Sequence, residues 1–130
     1  MTPLQLHNTV LFALEPARFP IITGEVLDAP GPDYALVLPG GGRGESDRAT
    51  DSPNRLVWTV RVVAVSATPQ GCLAVADWVR SRLDRLRVGM ATLRDDSWDN
   101  LMPLPDGPAN DRRYSVPLDF TITTERNTTP

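Results

Sequence analysis

The chain contains no lysine, a single cysteine and a single histidine. Each scarcity removes a class of chemistry. With only Cys72, neither an internal disulfide nor a cysteine metal cluster is possible. A nucleophilic cysteine needs a nearby base, and His7 is the sole histidine that could serve. Without lysine, Gly40-Gly-Gly-Arg-Gly44 cannot be a phosphate loop, which requires Lys-Ser/Thr opening a helix. All 13 basic residues are arginine, and 16 acidic residues leave a net charge of −3. That balance lacks the basic footprint of non-specific nucleic-acid binding. No stretch approaches the roughly 18 apolar residues of a membrane span. Met1 to Val10 has neither a basic start nor a long apolar run, so the expected site of synthesis and residence is the cytoplasm.

What is present is enough for one ordinary core. The 130 residues are 41% hydrophobic and 22% charged, which fits one domain over 1–130. Leu4, His7, Leu11 and Leu14 recur at helical spacing behind Thr2-Pro3, although Val10, Phe12 and Leu14 also alternate as in a strand. Pro16 ends the pattern. Ile21, Ile22, Thr23 and Val26 indicate a short strand interrupted by Gly24, and 28–33 reads as a turn. Tyr34 to Leu38 is a second short strand. Gly40 to Asn54 is polar and glycine-rich, and is expected to be a long loop.

Leu56 to Ala67 is the best strand of the first half. Trp58, Val60, Val62 and Ala64 share one face; Val57, Thr59, Arg61, Val63 and Val65 share the other. Two largely apolar faces predict a central position. Thr68-Pro69 then caps and opens a helix predicted over 69–88. Its apolar face is Cys72, Val75, Ala76, Val79, Leu83 and Leu86, with Gly89 placed to end it. Arg80, Arg82, Arg85 and Arg87 complement the negative end of the helix dipole. A brief strand is expected over 90–94 and an acidic turn over 95–100. The proline-rich stretch 101–110 reads as irregular. Tyr114 to Thr124 alternates cleanly as the closing strand, with Pro117 marking an edge or bulge, and 125–130 is a polar tail. The fold class is α+β: an antiparallel or mixed sheet with one main amphipathic helix on one face and a short N-terminal helix.

No residue set composes an active site. Cys72 falls on the apolar helix face, where a small buried hydrophobe is the plain reading. Asp95, Asp96 and Asp99 lack the alternate ligands, central glycine and closing glutamate of a calcium loop. No catalytic, cofactor-binding or metal-binding residues are therefore expected, and the chain is expected not to be an enzyme. The remaining candidates are contact residues. Trp78 belongs either to the rim of the core or, with Arg82 nearby, to a contact with a neighbouring subunit. Trp98 is either an anchor folded onto the core or an exposed contact. Arg43, Glu45, Asp47, Arg48 and Asp51 supply charges that a partner could order along the loop.

The chain resembles the small tail terminator proteins of long-tailed phages, of the siphophage type. The resemblance rests on Tyr34-Ala-Leu-Val-Leu-Pro-Gly-Gly-Gly42, a strand running into a glycine turn, and on Leu56-Val-Trp-Thr-Val-Arg-Val-Val-Ala-Val-Ser66 followed directly by the helix Cys72-Leu-Ala-Val-Ala-Asp-Trp-Val-Arg-Ser-Arg-Leu83. Asp111-Arg-Arg-Tyr-Ser-Val-Pro-Leu-Asp-Phe-Thr-Ile122 matches the final strand of such proteins. A longer first helix, usual in that family, is missing. The resemblance implies a virion protein at the head–tail junction that forms a homo-hexameric ring. Such a ring caps the tail tube, stops its polymerisation and meets the head-closure or connector protein. DNA would pass through the lumen without specific binding, consistent with the acidic balance. The alternatives are another neck protein or, from a different class, a small cytoplasmic binding module.

Overall fold

The computed structural model describes residues 2–23, 31–38, 42–45, 55–97, 102–108 and 112–125. In chain order the elements are α1 (Pro3–Ala13), β1 (Ile21–Thr23), β2 (Tyr34–Leu38), β3 (Gly42–Glu45), β4 (Arg55–Ser66), α2 (Pro69–Leu83), β5 (Arg87–Val88), β6 (Ala91–Thr92), β7 (Arg94–Asp95), β8 (Leu104–Asp106) and β9 (Arg113–Glu125). The fold is α+β with a mixed sheet. Its order is β1-β2-β4-β9-β7, with β3 also on β4 and β8 also on β9. Among the described residues, only β1 and β2 pair in parallel; every other pairing is antiparallel.

The sheet is organised by β4 and β9, which pair from Arg55↔Glu125 to Ser66↔Tyr114. Alternation sends Trp58, Val60, Val62 and Ala64 of β4, and Val116, Leu118, Phe120 and Ile122 of β9, to one face. All are buried, in one cluster with Cys72, Val75, Val79 and Leu83 of α2 and Leu6, Val10 and Leu14 of α1. Both helices thus cover the same sheet face. The central place expected for the β4 strand holds, because β2 and β3 lie on one side of it and β9 on the other.

Local chemistry explains the helix starts. At α1, the Gln5 amide donates to Thr2 Oγ1 at 3.1 Å and the Thr2 amide to Gln5 Oε1 at 2.8 Å, a reciprocal capping box that favours helix over the alternative strand. At α2, the Gly71 amide donates to Thr68 Oγ1 at 3.0 Å, with Pro69 in the first turn. Here glycine is required by space. A Cβ at position 71 would collide with Ser66 Oγ. That hydroxyl is buried, donates to Asp33 Oδ1 and accepts from the Thr68 amide.

Three expectations need correction. The helix predicted over 69–88 ends at Leu83. Arg85 adopts a left-handed conformation, φ 69°, which no helix interior allows. The chain then forms the β5–β6 hairpin, and Gly89 (φ 63°) occupies its two-residue turn rather than a helix end. Leu86 still packs against the core, so its spacing was compatible with both paths. Second, the stretch 40–54 is not loop throughout. Gly42–Glu45 is a strand paired with β4, Gly42 opposite Trp58. Gly-Arg-Gly-Glu has no apolar alternation, so side-chain patterning does not announce the strand. Third, the stretch 101–110 contains the edge strand β8, with Pro105 opposite Tyr114. An edge tolerates proline because its outer side need not donate.

Pro117 obeys the same logic on a longer strand. The Asp119 amide and carbonyl both face away from β4, toward Ser97 and Asp96. Strand alternation orients Pro117, two residues earlier, the same way. Its missing N–H therefore lies on the outer side of β9, between the residues paired with β8 and those paired with β7.

Two stability predictions follow from this packing. Leu83→Ala removes a fully buried side chain and should cost about 2–5 kcal/mol in chemical denaturation. A loss under about 0.5 kcal/mol, the range of surface changes, would show that this helix face is wrong. Gly71→Ala should cost about 1–3 kcal/mol through overpacking, and clearly less in a Ser66→Ala background. Equal losses in both backgrounds would contradict the assigned collision.

Candidate assembly surfaces

Cys72 is fully buried and its thiol donates to the Ala64 carbonyl at 3.3 Å. Burial, with Asp33 as a secondary influence, pushes its pKa from 9.0 to about 11. A neutral thiol of that kind is a poor nucleophile. His7 is half-buried on α1, and its Nδ1 has no partner among the described residues. Among the described residues, no three His, Cys, Asp or Glu side chains converge as a metal site would require. No described helix is long and apolar enough to cross a membrane.

The informative features are on the surface. The sheet face opposite the helices carries an apolar row across four strands: Ile22, Leu36, Val63 and Pro117, all half-buried. Beside it, Arg61 Nε donates to Asp119 Oδ1 at 2.8 Å and Arg61 Nη2 to Oδ2 at 3.1 Å. Asp119 raises the Arg61 pKa above its already high ordinary value, chiefly through that hydrogen bond and then through charge attraction. The guanidinium is more than half exposed, so the pair fixes orientation and adds little stability.

At the far end of β9, Thr123 and Thr124 join Gln5 and Thr9 of α1 and residues Val88 to Ala91 of the hairpin around a groove of ≈ 810 Å³. Met90, one of its lining residues, is 95% exposed, and on α1, which supplies Gln5 and Thr9, Phe12 and Leu4 are exposed at 81% and 66%. At the opposite end of β9, Met102 and Leu104 are also exposed, at 73% and 60%.

The structure distributes the contact candidates unevenly. Trp78 is buried in the subunit's own core, edge-on to Phe19 with ring centroids 5.6 Å apart. Most of its surface is already covered from within the chain. Arg82 is exposed on α2. Arg43 and Glu45 lie in β3, opposite Val57 and Arg55. Asp47, Arg48, Asp51 and Trp98 lie outside the described residues. The groove at α1 and its exposed apolar neighbours were missed by sequence reasoning. Its lining comes from three distant segments, and exposure of Met90 or Phe12 leaves no trace in spacing.

No family model and no curated protein matches the chain. Solved structures do share its fold. One, which carries no functional name, is 12% identical with a TM-score of 0.56, over 100% of this chain and 99% of that one. Another belongs to the virion of a native gene transfer agent particle. It is 15% identical with a TM-score of 0.50, and the match spans 96% of this chain and 92% of that one. At these identities the likeness is one of fold.

Cys72 offers a direct check on the interior. Its folded-state pKa is raised, so its contribution to stability is intact below about pH 9 and lost as pH rises through about 11. At pH 8 a thiol reagent should leave the folded chain unlabelled and react after denaturation. Labelling of the folded chain at the denatured rate would show that the thiol is accessible.

Proposed function

We propose that the chain is a structural protein of a phage-like virion and, more narrowly, a tail terminator. In this reading copies of the chain form a hexameric ring that caps the tail tube, stops its growth and joins the tail to the head connector. The observation that carries it is the end-to-end likeness of fold to a chain from a gene transfer agent virion. The likeness takes in nearly the whole of both chains, as expected when the same single domain does a comparable job. The surface supports a role in assembly. Met90 stands exposed at the groove, Phe12 and Leu4 on α1, and Met102 and Leu104 at the β8 edge, all available to a partner. Arg43, Glu45, Asp47, Arg48 and Asp51 would meet a neighbouring subunit, the tube or the connector. Net charge of −3 per copy suits a lumen through which DNA slides without being held.

Electron microscopy of purified particles carrying the chain tests the proposal. A six-fold ring of this fold is expected at the head-proximal end of the tail tube. A location at the head portal without tube contact would assign a neck role instead. A single asymmetric copy, or absence from the particle, would overturn the reading. Because the chain has no lysine, amine-directed cross-linkers are poor substitutes for imaging.

A further inference from the structure

A closed ring of identical subunits uses a heterologous contact, in which two different patches of one chain meet. Two such patches lie at the ends of β9. The first is concave: the groove between α1 and the hairpin, beside the exposed Met90 and Phe12. The second is convex: the edge strand β8 and the residue before its preceding proline, with Met102 and Leu104 standing out. Leu104 pairs with Ser115, and the groove begins at Thr123. Eight residues of extended strand separate them, roughly 26 Å, so one subunit cannot bring its own patches together.

Their charges are complementary. From 85 to 92 the chain has Arg85 and Arg87, both exposed, and no acidic residue; Asp84 precedes them, and beyond the hairpin Asp95 is paired with Arg80 and Asp96 follows it. The helix α1 on the other side of the groove has no acidic residue either. From 102 to 108 the only charged residue is Asp106, also exposed. Arg113, opposite Asp106 on β9, is directed to the Gly31 and Pro32 carbonyls at 3.0 and 3.3 Å rather than to that carboxylate. Among the described residues, Asp106, Arg85 and Arg87 take part in no ion pair.

We infer that the occupant of the groove is a second copy of this chain, whose Met102–Asp106 segment inserts beside Met90 and Phe12. This rests on the ring reading above and specifies its subunit contact. Apolar side chains would fill the groove, while Asp106 meets Arg87, and Arg85 beside it, at the rim. Repetition of one contact around an axis closes the ring and leaves no patch unused, which an isologous pair of subunits would not do.

The test uses engineered cysteines in assembled particles. Met90→Cys and Leu104→Cys change exposed positions, and native Cys72 is fully buried and silent. Under mild oxidation the double variant should give a ladder of disulfide-linked multiples ending at six. Each single variant should stay monomeric. Adding Asp106→Arg should lower the linked yield by about an order of magnitude, through like-charge repulsion at the hairpin. Dimers from Met90→Cys alone would overturn the inference in favour of an isologous contact. A double variant that stays monomeric, in particles whose images show the ring, would overturn this contact and leave the ring reading standing. Particles with no ring would sink both. Unchanged thermal melting of the double variant confirms that folding is not the cause of any loss.

Discussion

Every other element depends on the pairing of β4 with β9. These strands are far apart in sequence, yet they match residue for residue from Arg55 to Ser66. Until they meet, there is no sheet for either helix to cover. Closing so long a loop costs chain entropy before any contact compensates. The compensation is concentrated: four buried side chains of β4 and four of β9 face α2 from one continuous surface. Trp58 adds a directional element, its indole N–H donating to Thr124 Oγ1 on β9 at 3.0 Å. The short strands β2, β3, β7 and β8 then attach to the outer sides of this pair. β2 adds the buried Ala35 and Val37 to the core, whereas β7 and β8 bury little.

Where sequence was legible, side chains carried the signal. The period of two in β4 and β9, and the Thr68-Pro69 start of α2, reflect burial and capping that only those residue types satisfy. Where it was not legible, the backbone decided. Leu86 keeps helical spacing, yet the chain leaves the helix at Asp84 and turns through Arg85. Both routes bury Leu86, so periodicity could not separate them. The strand β3 is held by main-chain bonds opposite Val57 and Trp58, and its glycines resemble a loop by composition. Even the register is unpatterned there. From Leu38 to Gly42 the chain advances four residues while β4 advances three, from Arg61 to Trp58. The candidate surfaces were the least legible part. Trp78, which the sequence left between the core rim and a contact, lies in the core, whereas the exposure of Met90, Phe12 and Leu104 has no counterpart in the sequence pattern.

The two faces of the sheet divide the labour of the molecule. One is sealed by α1 and α2 and contains Cys72, the Ser66 hydroxyl and both described tryptophans. The other presents half-buried aliphatic side chains interrupted by the Arg61–Asp119 pair. A fold with this division offers several surfaces to partners while keeping its stability in a single layer between helices and sheet. A partner could approach the strands or the ends of β9 without disturbing the core.

The long antiparallel ladder also has a mechanical meaning. A pull directed along β9 loads its hydrogen bonds to β4 side by side, so they must yield together. A pull across the sheet loads them one after another, and they open like a zipper. The small flanking strands would peel away first under either load, since each is held by only two to five residues. The protein is therefore strongest along the axis of its two long strands and weakest at the sheet's margins. An assembly that passes tension along that axis would draw on the stiffest direction the fold possesses.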